Sequence, residues 1–353
     1  MAIISTNADP QVTPSELAEV TELFIKNHMP LLVMGKPGQG KSAIVEQVCA
    51  KMEVDLITDN LVTADPTDEK GMPAIIEDEH GGKQAVFLPF GTLLKLIHAD
   101  KPTAHFADDL GHAAKMVQAA YMQIVHARKI NDYKINDNVT FIAATNRKKD
   151  KAGVQSIISP LLDRYVTIVE LINSMEDWVR WALKEKLPYE VISYIRYRPE
   201  VLDEFEPTPD MSQTPTPRGI HNIARMIEAG LPRHLQLRLF AGTIGKKRAT
   251  EFVGFLRIFQ DLPDPDAVLM DPKNAKIPTE PGHLYALCGA LSARATKNSM
   301  ERLITYATRL ETDQSAGKEF SILLVKDAVA KNEKLCNTNA FTSWAVNNQD
   351  VLV

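Results

Sequence analysis

The feature that most constrains this chain is a glycine-rich turn between an apolar run and a helical segment. Residues 31–34 (LLVM) are wholly apolar, which is typical of a strand buried on both faces. The run continues into GKPGQGKS at residues 35–42 and then into a helical pattern over residues 41–52. Strand, turn and helix in this order provide the context that the pattern GxxxxGK[ST] requires. The sequence therefore predicts a phosphate-binding loop in an α/β fold.

The residues of this turn are suited to holding a chain of phosphates. Glycines let backbone N–H groups turn towards phosphate oxygens, and the following helix N-terminus adds positive potential. The lysine would reach the β- and γ-phosphates, and the serine would ligate Mg²⁺. We therefore predict a site for ATP and Mg²⁺ formed by Gly35, Lys36, Pro37, Gly38, Gln39, Gly40, Lys41 and Ser42.

Polar side chains end two further apolar strand candidates. Asp108 and Asp109 end the segment AHFADD, and a phosphate site needs an aspartate at a strand end to hold its metal. We assign Asp108 to the Mg²⁺ shell and Asp109 to orienting or activating the attacking water. Asn146 follows the apolar strand predicted at residues 139–144 and would position that water. Paired aspartates are more often a solvated turn, but their order after the phosphate-binding loop favours function.

The first 172 residues have an α/β pattern. Thr13 and Glu16 form a predicted capping box that opens an amphipathic helix ending near residue 28. Strand candidates alternate with helical stretches, as in a parallel sheet. Besides the elements named above, the sequence predicts strands at residues 55–58 and 165–169 and a helix at residues 111–128. Alternating segments around HGG at residues 80–82 predict an inserted β-hairpin.

Beyond residue 172, strand signals fade and helical patterns take over. The proline-rich stretch EPTPDMSQTPTP precedes a helix predicted to begin near Pro217, and a second proline-rich segment follows later. We predict an α/β core over residues 1–172 and a helical lid over 173–262. A connector over 263–282 and a C-terminal helical region over 283–353 complete the prediction.

Composition narrows the classes of protein. Hydrophobic residues make up 44% of the 353 positions, and no run approaches the roughly 18 apolar residues of a membrane span. The three cysteines are far apart and lack ligand spacing, which argues against disulfides or zinc. The first residues lack the features of a secretory signal, so we expect a cytoplasmic protein. The net charge of −5 makes nucleic acid a poor default partner.

Five motifs occur in the order used by AAA+ ATPases: GKPGQGKS, HFADD, IAATNR, SPLLDRY and TPRGI. They resemble Walker A, Walker B, sensor 1, the arginine-finger region and sensor 2. The segment DPTDEKGMP, the hairpin and the ending LLDRY resemble the MoxR branch. The resemblance implies that Arg164 is an arginine finger for a neighbouring subunit and that Arg218 is sensor 2. It also implies a P-loop AAA+ core, a homo-oligomer, usually a hexamer, and chaperone-like work with partners such as von Willebrand factor A domain proteins.

One position departs from that pattern, because the second acidic residue of Walker B is usually glutamate and here is Asp109. The shorter side chain predicts slow hydrolysis, since a misplacement of about 1 Å can lower a rate roughly a hundredfold. Two other functions stay open. One is a nucleic-acid motor or loader, which needs a local basic channel. The other is a nucleotide-gated scaffold that binds ATP tightly and rarely hydrolyses it.

Histidines and lysines elsewhere have plainer interpretations. His98, His105 and His112 occur seven residues apart. We expect them on a helix, a strand and a loop, which disfavours a shared metal. The basic run of Lys148, Lys149 and Lys151 is more typical of a solvated or intersubunit loop than of a nucleic-acid track.

Overall fold

The computed structural model of the chain describes residues 10–77, 81–150, 156–208, 212–260 and 262–348. Its contacts separate two units, Met1–Asn173 and Ser174–Val353. All strands of the described residues lie in the first unit, and the second unit consists of helices and connecting segments.

A six-stranded sheet forms the centre of the first unit. Its order is β1-β10-β2-β9-β6-β3, and every neighbouring pair is parallel. Two small antiparallel pairs, β4 with β5 and β7 with β8, stand apart from it. The strands are β1 (Gln11–Val12), β2 (Leu31–Gly35), β3 (Asp55–Asn60), β4 (Met72–Glu77), β5 (Lys83–Leu88), β6 (Thr103–Asp108), β7 (Lys129–Ile130), β8 (Tyr133–Lys134), β9 (Val139–Asn146) and β10 (Thr167–Leu171).

Among the described residues of the first unit, six α-helices accompany these strands. They are α1 (Pro14–Lys26), α2 (Lys41–Met52), α3 (Pro66–Lys70), α4 (Gly91–Ile97), α5 (Lys115–Ala127) and α6 (Ser159–Leu162). Helix α1 begins with the predicted capping box, in which Thr13 accepts from the Glu16 backbone and Glu16 from the Thr13 backbone.

The sheet is buried on both faces, as the apolar runs predicted. Along β2, Leu31 and Val33 pack into one hydrophobic cluster with α1 and α2, whereas Leu32 packs into a second cluster with α5. Alternate residues of a strand point to opposite faces, so both clusters are needed to cover the sheet. The predicted α/β fold, a parallel sheet flanked by helices with a β-hairpin insert, is confirmed. Of the predicted turn at residues 80–82, residue 80 lies outside the described part of the chain.

Several boundaries differ by a few residues from the sequence-based expectations, and two of these differences follow. Strand β10 begins at Thr167 rather than at residue 165. The helix expected over residues 111–128 is a 3-10 helix, Leu110–His112, followed by a break and then by α5. The break arises because Ala113 and Ala114 have extended backbone angles, which an α-helix cannot include.

Helices of the second unit pack around two hydrophobic clusters. One is centred on Tyr194, Phe240 and Phe252, and the other contains Tyr306 and Trp344. None of the helices in the described residues is long and apolar enough to cross a membrane. The helices are α7 (Met175–Lys184), α8 (Tyr189–Tyr197), α9 (Pro217–Glu228), α10 (Arg233–Ile244), α11 (Lys246–Gln260), α12 (Pro265–Met270), α13 (Pro281–Ala293), α14 (Met300–Thr312), α15 (Gly317–Lys331) and α16 (Asn339–Asn347).

Candidate nucleotide-binding site

The glycine-rich turn connects β2 directly to α2, as its sequence predicts. Gly38 and Gly40 have φ angles of 72° and 96°, in the left-handed region that glycine adopts most easily. A Cβ added at Gly40 would meet no atom within 4 Å, so the requirement for glycine there is conformational rather than steric. The turn ends at the N-terminus of a 12-residue helix, where the helix dipole and the orientation of the backbone N–H groups favour an anion.

Lys41 is the first residue of α2, and its side chain folds back along the turn. The Nζ atom donates to the carbonyl oxygens of Gly35 at 3.3 Å and Lys36 at 3.0 Å. It also donates to Oδ1 of Asn146 at 2.9 Å. Asn146 is the last residue of β9 and lies beside Gly35, the last residue of β2. A buried ammonium is stable only with such acceptors. The predicted phosphate-binding lysine and the predicted Asn146 therefore lie together.

Ser42 and Asp108 meet at the ends of their elements. The serine hydroxyl donates to Oδ2 of Asp108 at 2.8 Å, although the two residues are 66 positions apart in the chain. Oδ1 of Asp108 accepts from the Asp109 backbone N–H at 2.9 Å. A hydroxyl and a carboxylate oxygen are the donor types that Mg²⁺ prefers, so this pair suits the metal proposed from the sequence.

Asp109 is the first residue beyond β6 and has a left-handed backbone, with φ of 52° and ψ of 34°. A non-glycine residue in this region is uncommon, and such strain concentrates at functional sites. Its Oδ1 atom lies 3.4 Å from the Asn146 Nδ2 donor and 3.6 Å from Nδ1 of His112. The predicted water-activating residue therefore sits between an amide and an imidazole.

Sequence reasoning missed an ionic clamp next to this site. The Arg147 guanidinium, directly after β9, binds Asp150 at 2.6 Å and Glu170 at 2.7 Å. Hydrogen bonding to Asp150 raises the pKa of Arg147 above its ordinary value. Because Glu170 is in β10, the clamp joins the two strands that flank β2. It could not be found in the sequence without the strand order.

A second missed contact ties the glycine-rich turn to the end of the first unit. The side-chain oxygen of Gln39 accepts from the Lys36 backbone N–H, and the side-chain nitrogen of Gln39 donates to Oδ1 of Asn173 at 3.2 Å. A Cβ added at Gly35 would lie only 2.5 Å from Oε1 of Gln39. Glycine at position 35 therefore leaves room for the side chain that shapes the turn.

The two predicted arginines lie in different units of the chain. Arg164 follows α6, is half-buried, and its Nε atom has no hydrogen-bond partner among the described residues. Arg218 is exposed in the first turn of α9, in the second unit. Pro37, which completes the predicted turn, is half-buried.

The regularly spaced histidines and the lysines of the basic run lie in different elements. His98 caps the C-terminus of α4, His105 lies in β6 against Tyr121, and His112 lies in the 3-10 helix. The described residues contain no group of three or more histidines, cysteines and acids placed to hold a metal. Lys149 approaches Glu170 at 3.6 Å, and Lys151 lies outside the described residues.

A buried acid belongs to the segment DPTDEKGMP. Glu69 on α3 is 4% exposed, and its Oε1 atom has no hydrogen-bond partner within the described part of the chain. Burial, together with the nearby charges of Asp59 and Asp68, raises the pKa of Glu69 to about 8. The carboxyl is therefore mostly neutral at pH 7 in the folded protein.

Comparison with known proteins connects this geometry to one family. Residues 31–172 match the model of the ATPase family associated with various cellular activities, AAA. The matched segment begins at β2 and ends one residue after β10, so it contains the turn, both aspartates and Asn146. No curated protein sequence matches the chain.

Solved structures show distant likenesses. RuvB, the Holliday junction branch migration motor of Thermotoga maritima, is 14% identical over 88% of this chain and 86% of RuvB, with a TM-score of 0.40. NtrX from Brucella abortus is 11% identical over 91% of this chain and 67% of NtrX, with a TM-score of 0.39. These likenesses are too low to transfer either protein's activity.

Proposed function

We propose, from the match of residues 31–172 to the AAA ATPase family model, that the protein is a Mg²⁺-dependent ATP hydrolase of MoxR type. In this proposal it forms a ring, as a hexamer, and remodels a protein partner in a chaperone-like role. ATP hydrolysis at the boundaries between subunits drives the remodelling.

The convergence of Lys41, Ser42, Asp108 and Asn146 carries the proposal. Four polar side chains from three separate segments meet at one end of a buried parallel sheet, within 3 Å of one another in pairs. Polar side chains that serve only as turn formers have no reason to converge in this way. Ligand sites in open α/β sheets lie at the carboxyl ends of the strands, which is where these residues are.

Each residue has a distinct role in the proposed reaction. The backbone of residues 35–42 and the Lys41 ammonium bind the phosphates, while Ser42 and Asp108 hold Mg²⁺. Mg²⁺ held by these two residues would neutralise charge on the phosphate oxygens. The Asp109 carboxylate accepts a proton from the attacking water, and Asn146 orients that water. Arg164 of one subunit stabilises charge on the γ-phosphate held by its neighbour.

The resemblance to the MoxR branch supplies the proposed partner class. The hairpin of β4 and β5 carries exposed apolar side chains, among them Ile75, which is 75% exposed. Apolar groups on a small hairpin are suited to contact with another protein. We place this hairpin on the partner-facing surface of the ring, and a von Willebrand factor A domain protein is the partner to test first.

A slowly hydrolysing, nucleotide-gated scaffold is the second candidate. Asp109 favours it, because its carboxylate is one methylene shorter than the usual glutamate and its backbone is strained. Multiple-turnover phosphate release separates the two candidates, since a scaffold would bind ATP and stop after about one turnover.

Complementation between two inactive variants tests whether Asp109 of one subunit and Arg164 of its neighbour act on the same ATP. Arg164→Ala keeps Asp109, and Asp109→Asn keeps Arg164, so each variant should bind ATP and hydrolyse it poorly. In a mixed ring, some boundaries combine an intact Asp109 with an intact Arg164. We expect the mixture to recover at least several-fold more phosphate release than either variant alone, since such arginines contribute on the order of a thousandfold.

Native mass spectrometry of the same samples, with and without Mg²⁺-ATP, reports the ring itself. Arg180→Ala is the matched control, because Arg180 is an exposed arginine that pairs with Asp177 on its own helix. Co-assembled variants that bind ATP but recover no activity on mixing would contradict the shared site. A chain that stays monomeric with Mg²⁺-ATP would contradict the ring.

A further inference from the structure

His112 is the residue beside the candidate site that the motif pattern leaves without a role. Its Nδ1 atom lies 3.6 Å from Oδ1 of Asp109, and its side chain is 17% exposed. A carboxylate can only accept hydrogen bonds, so attraction between the two groups requires a proton on Nδ1.

The backbone holds His112 in this place. After the left-handed Asp109, the chain makes one 3-10 turn in which the His112 N–H donates to the Asp109 carbonyl at 2.8 Å. Leu110 and Ala113, on either side of Gly111 and His112, are fully buried in the core. Burial therefore fixes the turn at both ends, and the turn places the His112 imidazole next to the Asp109 carboxylate.

Both neighbours of the carboxylate approach the same oxygen. Nδ2 of Asn146 lies 3.4 Å from Oδ1 of Asp109, and His112 faces that oxygen as well. Within the described residues, Oδ2 of Asp109 makes no hydrogen bond or ion pair. Two polar contacts on one oxygen restrict rotation of the carboxylate and leave the other oxygen available to a water molecule.

We propose that His112 is a positioning residue for hydrolysis: it donates its Nδ1 proton to Oδ1 of Asp109 and, with Asn146, presents Oδ2 to the attacking water. This inference rests on the proposed ATPase function. The imidazole touches neither the nucleotide nor the water in this arrangement, and it acts only through Asp109.

Three substitutions at position 112 separate positioning from a merely structural role. His112→Ala should lower kcat by on the order of tenfold to a hundredfold, with KM and ATP affinity changed less than about twofold. The amide nitrogen of asparagine is as many bonds from Cα as Nδ1 of histidine, whereas that of glutamine corresponds to Nε2. We therefore expect His112→Asn to keep most of the activity and His112→Gln to lose as much as alanine.

A double-mutant comparison tests whether His112 acts through Asp109. In the Asp109→Asn background, His112→Ala should have no further effect on the residual rate. His126→Ala, which removes an exposed histidine from the last turn of α5, is the control and should keep wild-type activity. Melting temperature and binding of a fluorescent ATP analogue establish that each variant is folded.

The outcomes distinguish this inference from the function on which it depends. If the wild-type chain binds ATP but releases no phosphate, the proposed hydrolase is wrong. If the wild type hydrolyses ATP and His112→Ala keeps the wild-type kcat, the ATPase stands and the role of His112 is wrong. Equal loss in the asparagine and alanine variants would also overturn it, because the donor position would then have no effect.

Discussion

At the scale of single residues, the candidate site depends on which atoms meet the Asp109 carboxylate. Asn146 and His112 restrict the direction in which this group points, but they add nothing to its length. The motif order predicted that Asp109 and Asn146 lie close together, because polar residues that end parallel strands lie at one edge of a sheet. The His112 contact was not predictable, since it requires the left-handed backbone at Asp109.

Lengthening the Asp109 side chain tests its reach. We expect Asp109→Glu to raise the steady-state rate of phosphate release by about tenfold, because the carboxylate moves closer to the water. Affinity for ATP should stay unchanged, since no phosphate contact is altered. An unchanged or lower rate in the glutamate variant would show that the shorter side chain does not limit hydrolysis.

Glu69 makes the stability of the fold depend on pH. Its pKa is about 8 in the folded chain against 4.5 for an ordinary glutamate, so the folded state retains a proton that the unfolded state loses between these values. Stability therefore falls as pH rises from about 4.5 to about 8. We expect Glu69→Gln to stabilise the protein by about 2–4 kcal/mol at pH 8.5 and by much less at pH 5.

Thermal unfolding followed by circular dichroism at the two pH values measures this difference. Glu46→Gln, at an exposed position on α2, is the control and should shift the melting temperature little at either pH. A Glu69→Gln gain that is equal at pH 5 and pH 8.5 would contradict a raised pKa as the cause.

At the scale of elements, the sequence predicted strands that have a distinct composition but not features that depend on which strands are neighbours. The apolar runs predicted five strands of the main sheet, because strands buried on both faces have a distinct composition. The two-residue β1 was missed, since it exists only through its pairing with β10. The clamp of Arg147 was missed for the same reason, because its partner Glu170 lies two strands away.

The clamp predicts a large effect of one substitution. Arg147→Ala should lower the free energy of unfolding of the first unit by about 3 kcal/mol, because it leaves the buried Asp150 carboxylate without its cation. Lys149→Ala is the matched control: its ammonium is 68% exposed and also faces Glu170, so its removal should change stability by less than about 0.5 kcal/mol. Equal effects of the two variants in denaturant unfolding would contradict the clamp.

At the scale of the whole molecule, the division between an α/β unit and a helical unit follows from where strand signals end. Asn173 ends the first unit and the predicted core ends at residue 172. The subdivision of the helical unit into lid, connector and C-terminal region stays a prediction, as do the ring and its protein partner. The ring and the partner depend on contacts between molecules, for which the apolar runs within one chain give no signal.

The central claim is that the turn at residues 35–42 binds the phosphates of ATP, and isothermal titration calorimetry in magnesium buffer tests it most directly. We expect saturable binding of one ATP per wild-type chain, and a loss of affinity on the order of a hundredfold or more in Lys41→Ala. Lys51→Ala, which removes an exposed lysine at the other end of α2, should bind like the wild type. A wild-type chain that binds no ATP, or equal binding by both lysine variants, would contradict the account.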